Sequence, residues 1–290
     1  MPDGILIINK DADWTSMDVC AKLRGIYHEK RIGHAGTLDP MATGVLPVFI
    51  GRATRAVEFA ESGDKEYIAL LRPGIVTDTQ DTSGTVIEEH PAEFTRQALE
   101  AILPQFTGEI LQVPPMYSAI KIQGKKLYQL ARKGREVERP ARPITIHALE
   151  VLDGPDQNGD YRLRVRCSKG TYIRTLCYDI GQALGCGAAM AALQRTMACG
   201  YTLQEAVTLD RLQGSGNATA FLRPVDSLFS AYPACTVGGT AEKKVRNGAP
   251  APAPALASGI YRVYSQEGAF LALSQSDGEM LTTIKSFFNV

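Results

Sequence analysis

One stretch of this 290-residue chain concentrates residue types that can do chemistry. Gly33 to Gly44 reads GHAGTLDPMATG and holds three glycines, a proline, a histidine and a single carboxylate, Asp39. Glycine admits φ > 0 and lets a ligand come close to the backbone, while the Asp39-Pro40 step favours extended or turned geometry. The expected product is a stiff loop that holds one carboxylate out from a scaffold, where an ionised Asp39 is available as a nucleophile or a base. The same pattern also fits a tight loop whose aspartate only caps a turn or a helix.

Cations gather in three other places. From Lys121 to Arg142 there are eight (Lys121, Lys125, Lys126, Arg132, Lys133, Arg135, Arg139, Arg142) against two acids, Glu136 and Glu138, a local surplus of six. Charge runs are usually solvated faces. Tyr128 interleaved among these cations also suits a surface that contacts phosphates and stacks on sugars or bases. Arg162, Arg164 and Arg166 line one face of an alternating segment, where they repel one another unless an anion or acidic neighbours lie opposite. Finally, Lys169 and Arg174 sit at the opening of a helix with no acid before Asp179. Cations there oppose the helix dipole, which points to a carboxylate or phosphate partner.

Other chemistries lose their support. Neither a GxxxxGK[ST] phosphate loop nor a GxSxG elbow occurs, and Gly181, Gly185 and Gly187 are wrongly spaced for a dinucleotide fingerprint and end a helix rather than opening one. Six cysteines without a C-x-x-C pair, and only four histidines, argue against a zinc cluster or a disulfide framework. Reduced, mostly buried thiols are expected. With 31 basic and 31 acidic residues, a polyanion must be met by local patches. No basic-then-apolar leader is read at MPDGILIINK, and no apolar run approaches the roughly 18 residues that span a bilayer. A cytoplasmic protein is expected.

The elements that must position these residues follow from periodicity. Gly4–Asn9 and Val45–Ile50 have strand length, and Thr15 or Ser16 caps a helix through about Tyr27 with Val19, Leu23 and Ile26 on its apolar face. Arg52–Phe59 reads as a short helix. Glu66–Arg72 and Thr85–Glu89 read as a hairpin joined by TDTQDTSG. Thr95–Leu103 is helical, Tyr117–Ile122 a strand, Tyr161–Cys167 the clearest strand, and Thr171–Leu184 a helix. Short helical candidates follow at Thr208–Gln213 and Ala218–Leu222. After about Ala231 the chain turns poor in helix signals, passes through APAPAPA and ends in short β-like runs. A large unit at 1–231 and a small β-rich one at 232–290 are expected; at 44% hydrophobic, the chain can fill such cores.

Five blocks in order, GHAGTLDPMATGVLP, KEYIALLRPGIVTDTQDTSG, PPMYSAIKIQGKKLYQLARKG, CSKGTYIRTL and ALQRT, resemble the bacterial TruB family of tRNA pseudouridine synthases over roughly Gly4 to Asp226. The resemblance implies an α+β fold: a mixed, mainly antiparallel pseudouridine-synthase sheet with flanking helices, plus a small PUA-like C-terminal domain. It implies isomerisation of uridine 55 in the T-arm of tRNA, with Asp39 as the catalytic carboxylate, Tyr67 stacked on the base and Arg174 paired with Asp39. His34 helps fill the space left by the flipped base, and Leu193 forms an apolar wall. Lys121, Lys125, Lys126, Arg132 and Lys169 are the expected RNA contacts.

The reaction breaks the N1–C1′ bond and rejoins the ring through C5, so no cofactor or metal is expected. A guanidinium within about 4–6 Å of Asp39 would favour its ionised form. Extruding the uridine costs a few kcal/mol, which stacking of about 1–3 kcal/mol and backbone contacts would offset. A monomer needing no protein partner is expected. Two alternatives are a guide-RNA-dependent relative, disfavoured by a chain ending in SFFNV without a lysine-rich tail, and a tRNA-folding chaperone without chemistry, disfavoured by Asp39, Tyr67 and Arg174 together. The chain departs from the family pattern at Asp11-Ala12-Asp13 (usually Pro-x-Gly), Ala35 (often threonine) and Gln194 (often basic), positions expected to touch loop support and one phosphate contact.

Overall fold

Strand β1 (Gly4–Lys10) shows how the molecule is layered. Successive side chains of a strand point to opposite faces. Leu6 and Ile8 therefore enter one core while Ile5 and Ile7 enter another. Strand β2 (Thr43–Ile50) divides the same way, with Leu46, Val48 and Ile50 on the first side and Val45 and Phe49 on the second. Burial on both faces explains why both strands read as nearly continuous apolar runs.

The computed structural model describes residues 2–122, 124–253 and 255–288. Among these residues the main sheet has nine strands. Its remaining long members are β3 (Lys65–Pro73), β4 (Gly108–Gln112), β5 (Arg142–Asp153), β6 (Tyr161–Cys167) and β7 (Ala188–Ala198), in the spatial order β1-β2-β7-β3-β6-β5-β4. Its pairings are antiparallel except for β7 with β2, which run parallel through Gln194↔Thr43 and Arg195↔Gly44. Helices α1 (Ser16–Tyr27) and α2 (Ile173–Ala183) pack against the first core. Thr15 caps α1 in a reciprocal box with Asp18, as the sequence leads one to expect. The fold is the expected α+β architecture, a mixed, mainly antiparallel sheet with flanking helices.

A five-stranded sheet follows at Ala234–Val237, Ala251–Pro252, Gly259–Ser265, Phe270–Ser276 and Met280–Ser286. It seats Leu273 and Phe287 in the second core, against Phe229 and the odd-numbered side chains of β1. Phe270 and Phe287 stack at 5.2 Å, and Phe59 meets Phe229 edge-on at 5.3 Å. Tyr264 donates to Asp226 at 2.6 Å, and Lys285 pairs with Glu58 at 2.6 Å.

Several expectations need correction. Val86–Glu89 pairs with Ile75–Thr77, not with β3, whose two edges are taken by β6 and β7. Tyr117–Ile122 contributes only Lys121–Ile122 as strand, because the carbonyls of Tyr117, Ser118 and Ile120 accept instead from Arg174, Tyr128 and Leu127. Arg52–Phe59 splits into a 3-10 turn, Gly51–Ala56, and a short α-helix, Val57–Glu61. Strands β5 and β7 and the helix α3 (Gly239–Arg246) go unpredicted. In β5 a bulge between Ile146 and Ala148 breaks the alternation, and β7 is alanine-rich and central, so neither shows period two. All six cysteines are free, four of them buried.

Candidate active site

The loop after Ile32–His34 is held from beneath by buried polar side chains. Lys10, the last residue of β1, is fully buried and donates from its ammonium to the carbonyls of Asp11 (2.8 Å), Trp14 (2.7 Å) and Pro40 (3.1 Å). Burial pushes the Lys10 amine down to about 8, against the pull of Asp11, Asp13 and Asp39. Ser16, in the first turn of α1, accepts from the Leu38 amide at 3.0 Å. Asp13 donates its amide to Pro40 O at 2.9 Å from the left-handed region (φ 64°). Aspartate tolerates that conformation, so Asp13 serves where the family pattern has glycine.

On the other side stands Arg195, 1% exposed, whose guanidinium donates to Val45 O at 2.7 Å and Gly36 O at 2.9 Å. It thereby ties the two ends of the loop together. Gly44 is obligatory here: it lies at φ 101°, and a Cβ would come within 2.2 Å of Arg195 O. Ala35 is buried in the second core beneath the loop, and Gln194 pairs with Ile68 and Thr43 in the sheet.

Held in this way, the Asp39 carboxylate stays 37% exposed while its partner is buried. Arg174, in the first turn of α2, has a side chain only 6% exposed, and its Nε lies 2.9 Å from Asp39 Oδ2. Its remaining donors are fixed too. Nη1 donates to Thr79 O at 3.0 Å, Nη2 to Tyr117 O at 2.9 Å, and Asp81 Oδ2 lies 3.7 Å from Nε. Asp81 is itself buried and accepts from Ser83 N at 3.0 Å and Thr79 Oγ1 at 2.9 Å. A guanidinium locked by two carbonyls and a second carboxylate presents one edge, at fixed geometry, to Asp39. The carboxylate needed by the helix opening is therefore Asp39, joined by Asp81.

Tyr67 on β3 lies opposite Arg195 on β7, and Leu193 lies opposite Ala69, so Tyr67 and Leu193 share a sheet face. Tyr67 is 8% exposed; burial raises its phenol, and Asp39 adds to that rise while Arg195 counters it. His34 is partly buried, its Nδ1 has no hydrogen-bond partner among the described residues, and burial with the nearby Arg195 lowers its pKa. Asp39 is thus paired with Arg174 and acts on the Tyr67 phenol, Tyr67 and Leu193 share a sheet face, and Tyr67 and His34 both feel the Arg195 charge. Lys125 and Arg132 are exposed on the excursion between β4 and β5, where Arg132 lies over the Tyr128 ring at 5.5 Å, and Lys169 is exposed just before α2. The Lys121 and Lys126 side chains lie outside the described residues.

The three arginines of β6 have a different fate. Arg162 faces Asp153 at 3.3 Å, Arg164 pairs with Glu150 directly across β5, and Arg166 lies 3.9 Å from Asp64. Acidic neighbours answer that row of charge. Among the described residues, no group of three or more His, Cys, Asp or Glu could hold a metal ion.

Residues 24–173 match the TruB family pseudouridylate synthase N-terminal domain, and residues 174–230 match the tRNA pseudouridylate synthase B C-terminal domain. The chain belongs to the TruB family. A TruB relative from Stutzerimonas stutzeri, named tRNA pseudouridine synthase B, is 44% identical over 94% of this chain and 91% of its own length. One of the same name from Bacillus pumilus is 43% identical over 88% of this chain and 85% of its own. The fold also matches a chain in a solved Cbf5-Nop10-Gar1 complex, at 25% identity and TM-score 0.75, covering 98% of this chain and 85% of that one. Sequence reasoning missed the support of this TruB site, namely Lys10, Ser16, Asp81 and Arg195. Its signals were a lysine closing an apolar strand and an aspartate in the quoted TDTQDTSG block.

Proposed function

We propose that this chain converts uridine 55 in the T-arm of tRNA to pseudouridine, with Asp39 as the catalytic carboxylate. As a TruB-family enzyme it is a tRNA pseudouridine synthase, so the reaction is uridine isomerisation. The observation that carries the assignment of Asp39 is its pairing with Arg174, a solvent-reached carboxylate against a buried, fully anchored guanidinium. Arg174 fixes the direction of the Asp39 carboxylate.

The chemistry then needs few parts. The target uridine is swung out of the RNA and stacked on Tyr67, with Leu193 as the apolar wall and His34 occupying the vacated space. Asp39 acts on the sugar, either by attacking C1′ or by taking the proton from C2′. The N1–C1′ bond breaks, the ring turns, and C5 bonds to C1′ as the Asp39 oxygen leaves C1′ or the proton is returned to C2′; the C5 proton is then lost to solvent and N1 takes one up. Every heavy atom of uracil is retained, one proton is exchanged with solvent, and there is no net oxidation or reduction. Lys125, Arg132 and Lys169, with Lys121 and Lys126, supply phosphate contacts. Residues 1–231 form the catalytic unit and 232–290 a small PUA-like RNA-binding unit, and the enzyme works as a cytoplasmic monomer.

Tritium release from 5-tritiated uridine in tRNA tests the assignment. Asp39→Asn, which keeps shape but not charge, is expected to bind tRNA nearly normally and release no tritium. Turnover at the wild-type rate would end it. Mapping pseudouridine in a bare T-arm hairpin tests the position: modification elsewhere, or none, would overturn uridine 55 or the sufficiency of the T-arm.

A further inference from the structure

Gln112 is a buried polar residue that the reaction does not obviously require. It ends β4 and is 2% exposed. Its side-chain amide faces the main chain of Tyr172: Oε1 accepts from Tyr172 N at 2.8 Å, and Nε2 donates to Tyr172 O at 3.1 Å. An amide side chain is thus paired with a peptide group as a neighbouring strand would be. Tyr172 is the N-cap of α2, has no side-chain cap of its own, and its carbonyl also accepts the first helical bond, from Leu176 N at 3.0 Å. Gln112 therefore fixes where the helix begins, and Arg174 follows two residues later.

The same segment reaches Arg174 a second time. After Gln112 come Val113, Pro114, Pro115, Met116 and Tyr117, and the carbonyl of Tyr117 accepts from Arg174 Nη2 at 2.9 Å. Two successive prolines stiffen that short link. Gln112 is also opposite Arg142 in the sheet, so it stands at the root of the excursion from 113 to 141 that carries Lys125 and Arg132. One rigid piece thus grips Arg174 by its helix start and by its guanidinium, and roots the cation-rich excursion.

We infer that Gln112 is a positioning residue: it sets the register of Tyr172 and Arg174, and with them the approach of the guanidinium to Asp39, from the base of the RNA-facing excursion. The inference rests on the pseudouridine synthase reading above. Only a group that both donates and accepts satisfies Tyr172. Methionine at 112 donates nothing and accepts only weakly, and an ionised glutamate accepts from the amide but repels the carbonyl. Glutamate buried against that carbonyl takes up a proton more readily than in water, and the neutral acid again both donates and accepts.

The test is single-turnover pseudouridine formation at saturating T-arm RNA, for wild type, Gln112→Met and Gln112→Glu, with RNA affinity measured alongside. A displaced guanidinium costs about 10²-fold in rate, with affinity expected to change by less than about threefold. Between about pH 8.5 and about pH 5.5 the Gln112→Glu rate, relative to wild type at the same pH, is expected to climb back towards unity. Gln112→Met is expected to stay slow throughout. The inference is overturned if Gln112→Glu matches wild type at the alkaline end, or if it stays equally slow at the acid end while folded. The Gln112→Glu series decides the matter if Gln112→Met does not fold. Wild type making no pseudouridine would instead refute the function itself, an outcome distinct from any ratio between variants.

Discussion

Arg174 and the arginine row of β6 are both places where cations stand against a local rule, and they resolve in opposite ways. Arg162, Arg164 and Arg166 keep half their side-chain surface in water and meet Asp153, Glu150 and Asp64 across the sheet face. Each pair is screened, and its ions could be parted at little cost. Arg174 is withdrawn from water, bound by two carbonyls and Asp81, and offers what remains to a carboxylate that solvent can reach. Burial, not the count of charges, distinguishes a built site from a decorated surface.

The widest separation between the two regions is in turnover. Asp39→Asn is expected to abolish tritium release, whereas Glu150→Gln, the same change on the β6 face, leaves the rate at wild type; a comparable loss in both would erase the distinction. Stability gives the next largest contrast. Arg174→Ala leaves Asp81 buried beside an empty guanidinium site, with a loss of about 3–5 kcal/mol expected in urea unfolding. Asp81→Asn added to it should recover part of that stability and none of the activity. Lys125→Ala with Arg132→Ala should weaken tRNA binding and reduce the slope of log affinity against log salt by about 2. An unchanged slope would move the RNA path elsewhere.

Smaller effects test the buried surroundings. The folded protein resists protonating His34, whose pKa lies below the ordinary 6.5. The unfolded chain accepts that proton first, so stability should fall as pH drops below about 6.5, and His34→Gln should remove part of the decline. The smallest change belongs to Arg164→Ala, expected to shift the urea midpoint by no more than about 0.2–1 kcal/mol. A larger loss would mean that the β6 row resembles the active site after all.

Much of this was legible in the residues. Tyr161–Cys167 alternates cleanly and forms the strand between those limits, and Thr15 caps the helix as its type suggests. Asp39 and Arg174 lie 135 residues apart, so their pairing was legible only through the ordered family blocks. What Lys10, Arg195 and Gln112 hold was illegible for a shared physical reason. Their partners are main-chain groups, which every residue carries and no sequence marks. The β6 arginines misled in the opposite sense, because two of their acids, Glu150 and Asp153, sit on β5, whose bulge hid its phase, and the third, Asp64, lies just before β3, far off in sequence.

The tail sheet does not merely hang from the body; it roofs it. Phe287 and Leu273 complete the layer that covers Ile5, Ile7 and Phe49. Cutting the chain near residue 231 would bare an oily floor under the Asp39 loop, so the truncated body should clump rather than survive as a smaller folded unit. Melting of the intact chain should accordingly be one concerted event, with the tail sheet holding the main sheet together.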